Sequence, residues 1–288
     1  MRPTTFFAGF IFVFLVMTEV FVAAAETGEP LPNERAISIN GSMGELYGLL
    51  GLPDLPENGK CPMVILSHGF KGNLDYPLWP PIIEGLNSRG IGTLRFDFNG
   101  AGKSAGEFVN MTVPNEIDDL MNVIAWVRKQ PFTKNISLVG HSQGGVVSGM
   151  AAGECGAQQI ASLVLLAAAA VLRDDALRGD TQGTRYDPWH LDQPWYLLAG
   201  KYKLGRPYIQ TAMNLPIYET TAKYKGPALV INGMADVVVP YTYAQRYKQE
   251  MPQAELIIVP GENHSFGEDP QYVVGLVTDW LVKHLAEK

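Results

Sequence analysis

Apolar and polar residues alternate along this chain in two rhythms, and the switches between them mark out its elements. Short apolar runs bounded by Gly, Pro or Asp occur at Met63–Ser67, Gly92–Phe96, Ile136–Val139, Ile160–Leu166, Ala228–Asn232 and Glu255–Val259. Their length and their lack of a polar face suit strands buried on both sides of a sheet. Ala36–Asn40 and Glu45–Leu52 predict an opening strand pair. Between the runs the period lengthens to that of a helix, at Trp79–Arg89, Glu116–Lys129, Val146–Gly153, Tyr241–Gln249 and Tyr272–Leu285. The second of these has Ile117, Leu120, Met121, Ile124 and Val127 on one face, with Pro114 and Asn115 marking its start and Pro131 just past its end. This alternation predicts an α/β fold, a mostly parallel central sheet with helices on both faces.

One interval breaks the rhythm. Between Ala170 and Lys225 the chain is rich in Trp, Tyr, Pro, Asp and Gly and has no strand–helix pattern. Roughly fifty residues are too many for a structureless loop in a compact domain. The interval, about 170–225, therefore predicts a cap inserted over the carboxyl edge of the sheet.

The first 25 residues read as a signal peptide. Arg2 gives a positive start, Phe6–Met17 is apolar but short for a bilayer, and Ala23-Ala24-Ala25 offers a cleavage site ahead of Glu26. An uncleaved anchor is the alternative, and Glu19 inside the stretch argues against it. We expect a secreted or periplasmic protein with no stable membrane association after cleavage, a linker at 26–34 and one domain over 35–288. The 288 residues are 47% hydrophobic and 18% charged, a globular composition. A net charge of −7 with scattered Lys and Arg excludes a phosphate-binding stripe, so nucleic acid is not an expected partner. Of the two cysteines, Cys61 precedes a strand and Cys155 follows a helix. Two separate thiols are expected, with one disulfide the alternative. No Cys/His spacing suggests a metal site, and no cofactor is implied.

The chemistry is concentrated at Gly140-His141-Ser142-Gln143-Gly144, which fits G-x-S-x-G between the strand Ile136–Val139 and a small-residue helix. A sharp strand-to-helix turn lifts a Ser hydroxyl out of a sheet, and flanking glycines let the backbone pass close by. This is the nucleophile elbow of the α/β-hydrolase fold, with Ser142 as nucleophile. A Ser hydroxyl needs a base, and in this fold the acid and then the His follow the Ser along the chain. His264, in the loop after Glu255–Val259, is the expected base. His284 reads as solvated surface, His141 as pointing away from the nucleophile, His190 as part of the cap and His68 as a loop brace. Asp236, after Ala228–Asn232, is the expected orienting acid, with Asp269 as the alternative. The oxyanion donors are expected to be the backbone N–H groups of Phe70 and Gln143.

With these residues in place, the chain resembles the bacterial cinnamoyl (feruloyl) esterases of the α/β-hydrolase superfamily. The likeness runs from about Ile37 to the end. It is carried by Ser67–Asn73 (SHGFKGN), Arg95–Gly102 (RFDFNGAG), Asn110–Glu116 (NMTVPNE), Gly140–Val147 (GHSQGGVV) and Leu215–Glu219 (LPIYE). The resemblance implies a cap that recognises a phenolic acyl group, with Asp175, Gln182 and Tyr208 matching the family's ring-binding residues. It also implies a small-molecule or oligosaccharide hydroxycinnamoyl ester as substrate. Ala101 stands where the family often has His, and Pro188, Trp189 and Trp195 make this cap unlike a simple copy. A broad short-chain acyl esterase, a peptidase or thioesterase, and a non-catalytic binding module remain as alternatives.

Overall fold

A computed structural model of the chain describes residues 29–286. The leader and its cleavage point near Ala25 lie outside the described residues. β1 (Glu34–Gly41) and β2 (Gly44–Gly51) form an antiparallel pair. There follow β3 (Cys61–Ser67), α1 (Trp79–Asn87), β4 (Gly92–Phe96), α2 (Val113–Arg128), β5 (Thr133–His141), α3 (Gln143–Cys155) and β6 (Ser162–Leu166). The cap comes next, with α4 (Val171–Arg178), a small hairpin β7 (Asp180–Thr181) and β8 (Thr184–Arg185), a second hairpin β9 (Trp195–Leu198) and β10 (Tyr202–Gly205), then α5 (Arg206–Ala212) and α6 (Ile217–Thr221). The chain returns to the sheet through β11 (Ala228–Gly233), α7 (Thr242–Glu250), β12 (Glu255–Val259) and α8 (Pro270–Ala286).

The main sheet has the strand order β1-β2-β4-β3-β5-β6-β11-β12 and is parallel from β4 to β12. Its strands alternate their side chains between two cores. Met63, Ile65, Leu138 and Leu163 pack with α2 and α3 on one face, whereas Val64, Leu66, Val139 and Val164 pack with α1 and α8 on the other. This is the expected α/β-hydrolase layering. The winding reverses between β3 and β5, so a crevice opens beyond their carboxyl ends.

Boundaries differ from the sequence reading where a cap or a ladder extends an element. α2 starts at Val113, because the Thr112 side chain accepts from the Asn115 N–H and Pro114 fits the first turn. α3 starts at Gln143, directly after the nucleophile. The domain also begins earlier than residue 35. Glu34 opens β1 and is buried against Arg95 of β4, with Nε–Oε1 at 2.9 Å and Nη2–Oε2 at 2.6 Å. The Arg95 side chain is only 2% exposed, and it also reaches Asp75 and the carbonyls of Leu74 and Glu29. Residues 29–34, which the sequence presents as linker, are thus tied to the sheet.

Removing Glu34 takes away the fully buried partner of Arg95 and leaves Asp75, 28% exposed, to face a buried guanidinium. We expect Glu34→Ala to cost about 3–5 kcal/mol of unfolding free energy in urea titrations. The double replacement Glu34→Leu/Arg95→Met should cost much less, since both charges leave together. Cys61 and Cys155 are separate buried thiols.

Candidate active site

The elbow sits where β5 ends. Ser142 has φ 56° and ψ −123°, a backbone conformation that strains a residue with a Cβ by about 1–3 kcal/mol. Four hydrogen bonds hold it there. Its N–H donates to the Leu166 carbonyl at 2.9 Å, and its own carbonyl accepts from Gly145, Val146 and Ala169. Two glycines are required by contact. A Cβ on Gly140 would lie 2.1 Å from the Gly144 carbonyl oxygen, and one on Gly144 would lie 2.3 Å from that of His68.

β12 and β11 deliver the partners. His264 Nε2 lies 3.0 Å from Ser142 Oγ, and its Nδ1 lies 2.8 Å from Asp236 Oδ2. Asp236 is buried, and its Oδ1 accepts from the N–H groups of Val238 and Val239 at 2.9 and 2.8 Å. Asn232 Nδ2 donates to the Val239 carbonyl at 3.0 Å and approaches Asp236 Oδ2 at 3.5 Å. An acceptor-only carboxylate facing Nδ1 requires the proton there, which leaves the Nε2 lone pair for the Ser hydroxyl. The alternative acid, Asp269, instead caps α8 by accepting from the Tyr272 N–H at 3.1 Å.

His141 differs from expectation. Its ring does not point away from the site but stands 4.9 Å from that of His264, with Nε2 bonded to the His264 carbonyl at 2.9 Å. Burial pushes its pKa down to about 3, so it serves as a neutral donor. Tyr76 stacks on it at 4.1 Å and donates to the Ser265 carbonyl, so the His264 loop is gripped from behind. His284 also departs from the solvated reading, since it stacks on Trp280 at 4.0 Å and its side chain is 18% exposed. His190 stays on the exposed rim of the cap beside Asp187.

His68 braces the loop after β3, as expected. Its Nε2 accepts from the Phe98 N–H at 3.1 Å and its Nδ1 bonds the Gly69 carbonyl at 2.9 Å, with burial lowering its pKa. A Cβ on Gly69 would come 2.9 Å from that of Ser142, so this backbone runs hard against the nucleophile. The N–H groups of Phe70 and Gln143 make no hydrogen bond among the described residues. Beside a nucleophile, at a loop and at the first turn of α3, such donors suit an oxyanion.

A cleft of about 1070 Å³ opens over Ser142, walled by the Gly69–Lys71 loop, the Val237–Val239 loop and the cap. All three expected cap residues line it. Asp175 on α4 pairs with Arg178, and burial pushes its carboxyl up to about 6. Gln182 occupies the exposed turn between β7 and β8 with φ 48°. Tyr208 is buried, stacked on Phe70 at 5.3 Å, and its hydroxyl donates to Gln143 Oε1 at 2.9 Å. That hydroxyl is therefore engaged with the elbow. Sequence reasoning misses Glu116 and Asn232. Glu116 carries a signal, since it shares the α2 stripe with Leu120, Val123 and Val127.

The prolyl oligopeptidase family model matches residues 83–288. Among solved structures, Est1E from Butyrivibrio proteoclasticus, determined with ferulic acid bound, has a TM-score of 0.81 and 28% identity, covering 87% of this chain and 100% of that one. Among curated proteins, an uncharacterised 31.7 kDa Escherichia coli protein from the traX-finO intergenic region is 37% identical over 94 residues. That match spans 32% of this chain and 32% of the relative. The mitochondrial palmitoyl-protein thioesterase ABHD10 of Bos taurus is 26% identical over 249 residues, 81% of this chain and 79% of its own. The family match takes in the elbow and both loops that bring Asp236 and His264 to it, and the chain belongs to the prolyl oligopeptidase family and has the α/β-hydrolase fold.

Proposed function

We propose that this hydrolase is a carboxylic ester hydrolase that releases hydroxycinnamic acids from plant cell-wall saccharide esters. The observation that carries the reading is the placement of Asp175, Gln182 and Tyr208 on the walls of the cleft that holds Ser142. An apolar slot with a few polar groups suits a 4-hydroxy-3-methoxyphenyl ring. The ferulic acid held by Est1E supports the same class.

In this mechanism Ser142 attacks the ester carbonyl as His264 takes its proton, and Asp236 stabilises the imidazolium. The Phe70 and Gln143 N–H groups receive the developing oxyanion. His264 then protonates the leaving sugar alkoxide, and water deprotonated by the same imidazole releases the acid. Export belongs to this proposal, because wall fragments are met outside the cytoplasm. Amino-terminal sequencing of the mature protein should then begin at Glu26.

Comparing kcat/KM for methyl ferulate and p-nitrophenyl butyrate tests the substrate class, and a marked preference for butyrate would remove it. The thioesterase relative favours a second reading, long-chain acyl thioester hydrolysis, which predicts faster turnover of a palmitoyl thioester than of either ester. On the first reading, Asp175→Asn should lower kcat/KM for methyl ferulate about tenfold, the worth of one hydrogen bond to a charged group. It should leave p-nitrophenyl acetate within about twofold, on the same scale. Equal losses on both would deny Asp175 a selective role.

A further inference from the structure

We propose that Glu116 and Tyr208 are positioning residues that clamp the Gln143 side chain from both ends and thereby fix the oxyanion-donating peptide after Ser142. The proposal rests on the serine hydrolase reading and concerns residues outside the triad. Gln143 Nε2 donates to Glu116 Oε2 at 2.8 Å, and Gln143 Oε1 accepts from the Tyr208 hydroxyl at 2.9 Å. Glu116, Gln143 and Tyr208 are 4%, 1% and 2% exposed, so water cannot replace either bond.

The peptide that carries the Gln143 N–H follows a residue in a strained conformation, Ser142 at φ 56° and ψ −123°. Relaxing that strain would rotate the peptide and swing its N–H away from the oxyanion. A side chain anchored on α2 at one end and on the cap helix α5 at the other opposes the rotation. The same anchor joins the cap to the elbow, because Tyr208 also stacks on Phe70, the other expected donor.

The Gln143 amide donates to Glu116 whether that group is acid or carboxylate, but the oxyanion beside it requires Glu116 without charge. Burial pushes its carboxyl up to about 8, with Asp119 on the same helix adding repulsion and the Gln143 bond opposing both. Facing it from α5 is Tyr208, which burial keeps neutral. Asp119 is itself raised by burial and accepts from the N–H groups of Ser42 and Asn99. Below about pH 8 the acid is neutral. Above that value a carboxylate stands behind the oxyanion hole and opposes the negative transition state.

The test uses p-nitrophenyl acetate, whose small acyl group makes no demand on phenol recognition. Glu116→Leu should lower kcat about 10²-fold with KM within about threefold, the pattern for a lost transition-state donor. Glu116→Gln keeps an acceptor for Gln143 Nε2 and should restore kcat to within about threefold of wild type. It should also abolish the fall in wild-type activity as pH rises through about 8. Tyr208→Phe should lower kcat about tenfold on this ester, whose acyl group carries no phenol. Fluorophosphonate labelling of Ser142, which forms a tetrahedral adduct, should slow in parallel in each variant. Folded Glu116→Leu protein with kcat near wild type overturns the proposal. Should that variant not fold, identical alkaline limbs for wild type and Glu116→Gln, or unchanged kcat in Tyr208→Phe, overturn it instead. Wild-type protein inert to esters and to fluorophosphonate would sink the catalytic reading along with this one.

Discussion

Ser142→Ala should lower kcat about 10⁶-fold, the loss expected when the nucleophile of such a unit is removed. The hydroxyl removed is the atom 3.0 Å from His264 Nε2, the one whose proton that base takes. The stability change should stay below about 1 kcal/mol, because Ala accepts the same backbone as Ser and the four hydrogen bonds at residue 142 use main-chain atoms. His264→Ala added to Ser142→Ala should lower the rate little further, since base and nucleophile act on one proton. Single-turnover hydrolysis and intact mass after fluorophosphonate treatment would read both effects. A Ser142→Ala protein within tenfold of wild type would place the nucleophile elsewhere.

The triad is legible in the sequence because this fold converts chain order into space. Each of Ser142, Asp236 and His264 follows a short apolar run, and parallel strands deliver the residues after them to one edge. Glu34 reads as linker because its partner Arg95 is 61 positions away, and no local pattern announces a pairing at that separation. The His141 ring escapes the sequence for a related reason. Strand alternation says which face a side chain leaves from, but not which loop will fold back over it.

The cap shows the opposite case. Its existence follows from the length of an aperiodic interval, yet its elements do not. The α5 and α6 helices have 7 and 5 residues, and β7 and β8 have two each, too short for a period to register. Their positions come from tertiary contacts, such as Tyr208 against Phe70 and Gln143. The segment Arg95–Gly102, one carrier of the family likeness, is structural. Arg95 holds the amino-terminal strand, Asp97 accepts from the N–H groups of Leu74 and Lys103, and Asn99 ties to Asp119. Resemblance in that stretch speaks for the fold and leaves substrate choice to the cap.

Asp236→Asn should lower kcat about 10⁴-fold without dismantling the loop, and the surroundings of the carboxylate dictate why. Oδ1 receives two backbone donors, from Val238 and Val239, so an amide placed here must put its oxygen on that side. Its NH₂ group then faces His264 Nδ1, where Oδ2 stood at 2.8 Å. Two donors cannot share that contact. The imidazole must accept at Nδ1 and carry its proton on Nε2, which points a hydrogen at Ser142 Oγ instead of a lone pair. The nearby Asn232 amide, 3.5 Å from Oδ2, would also meet a donor and could not rescue the geometry. KM should change little, because the defect lies in proton transfer and not in the cleft. An NMR spectrum of the His264 ring should show the proton moved from Nδ1 to Nε2. An Asp236→Asn protein that kept the Nδ1 proton and near-normal kcat would mean that Asp236 does not set the tautomer.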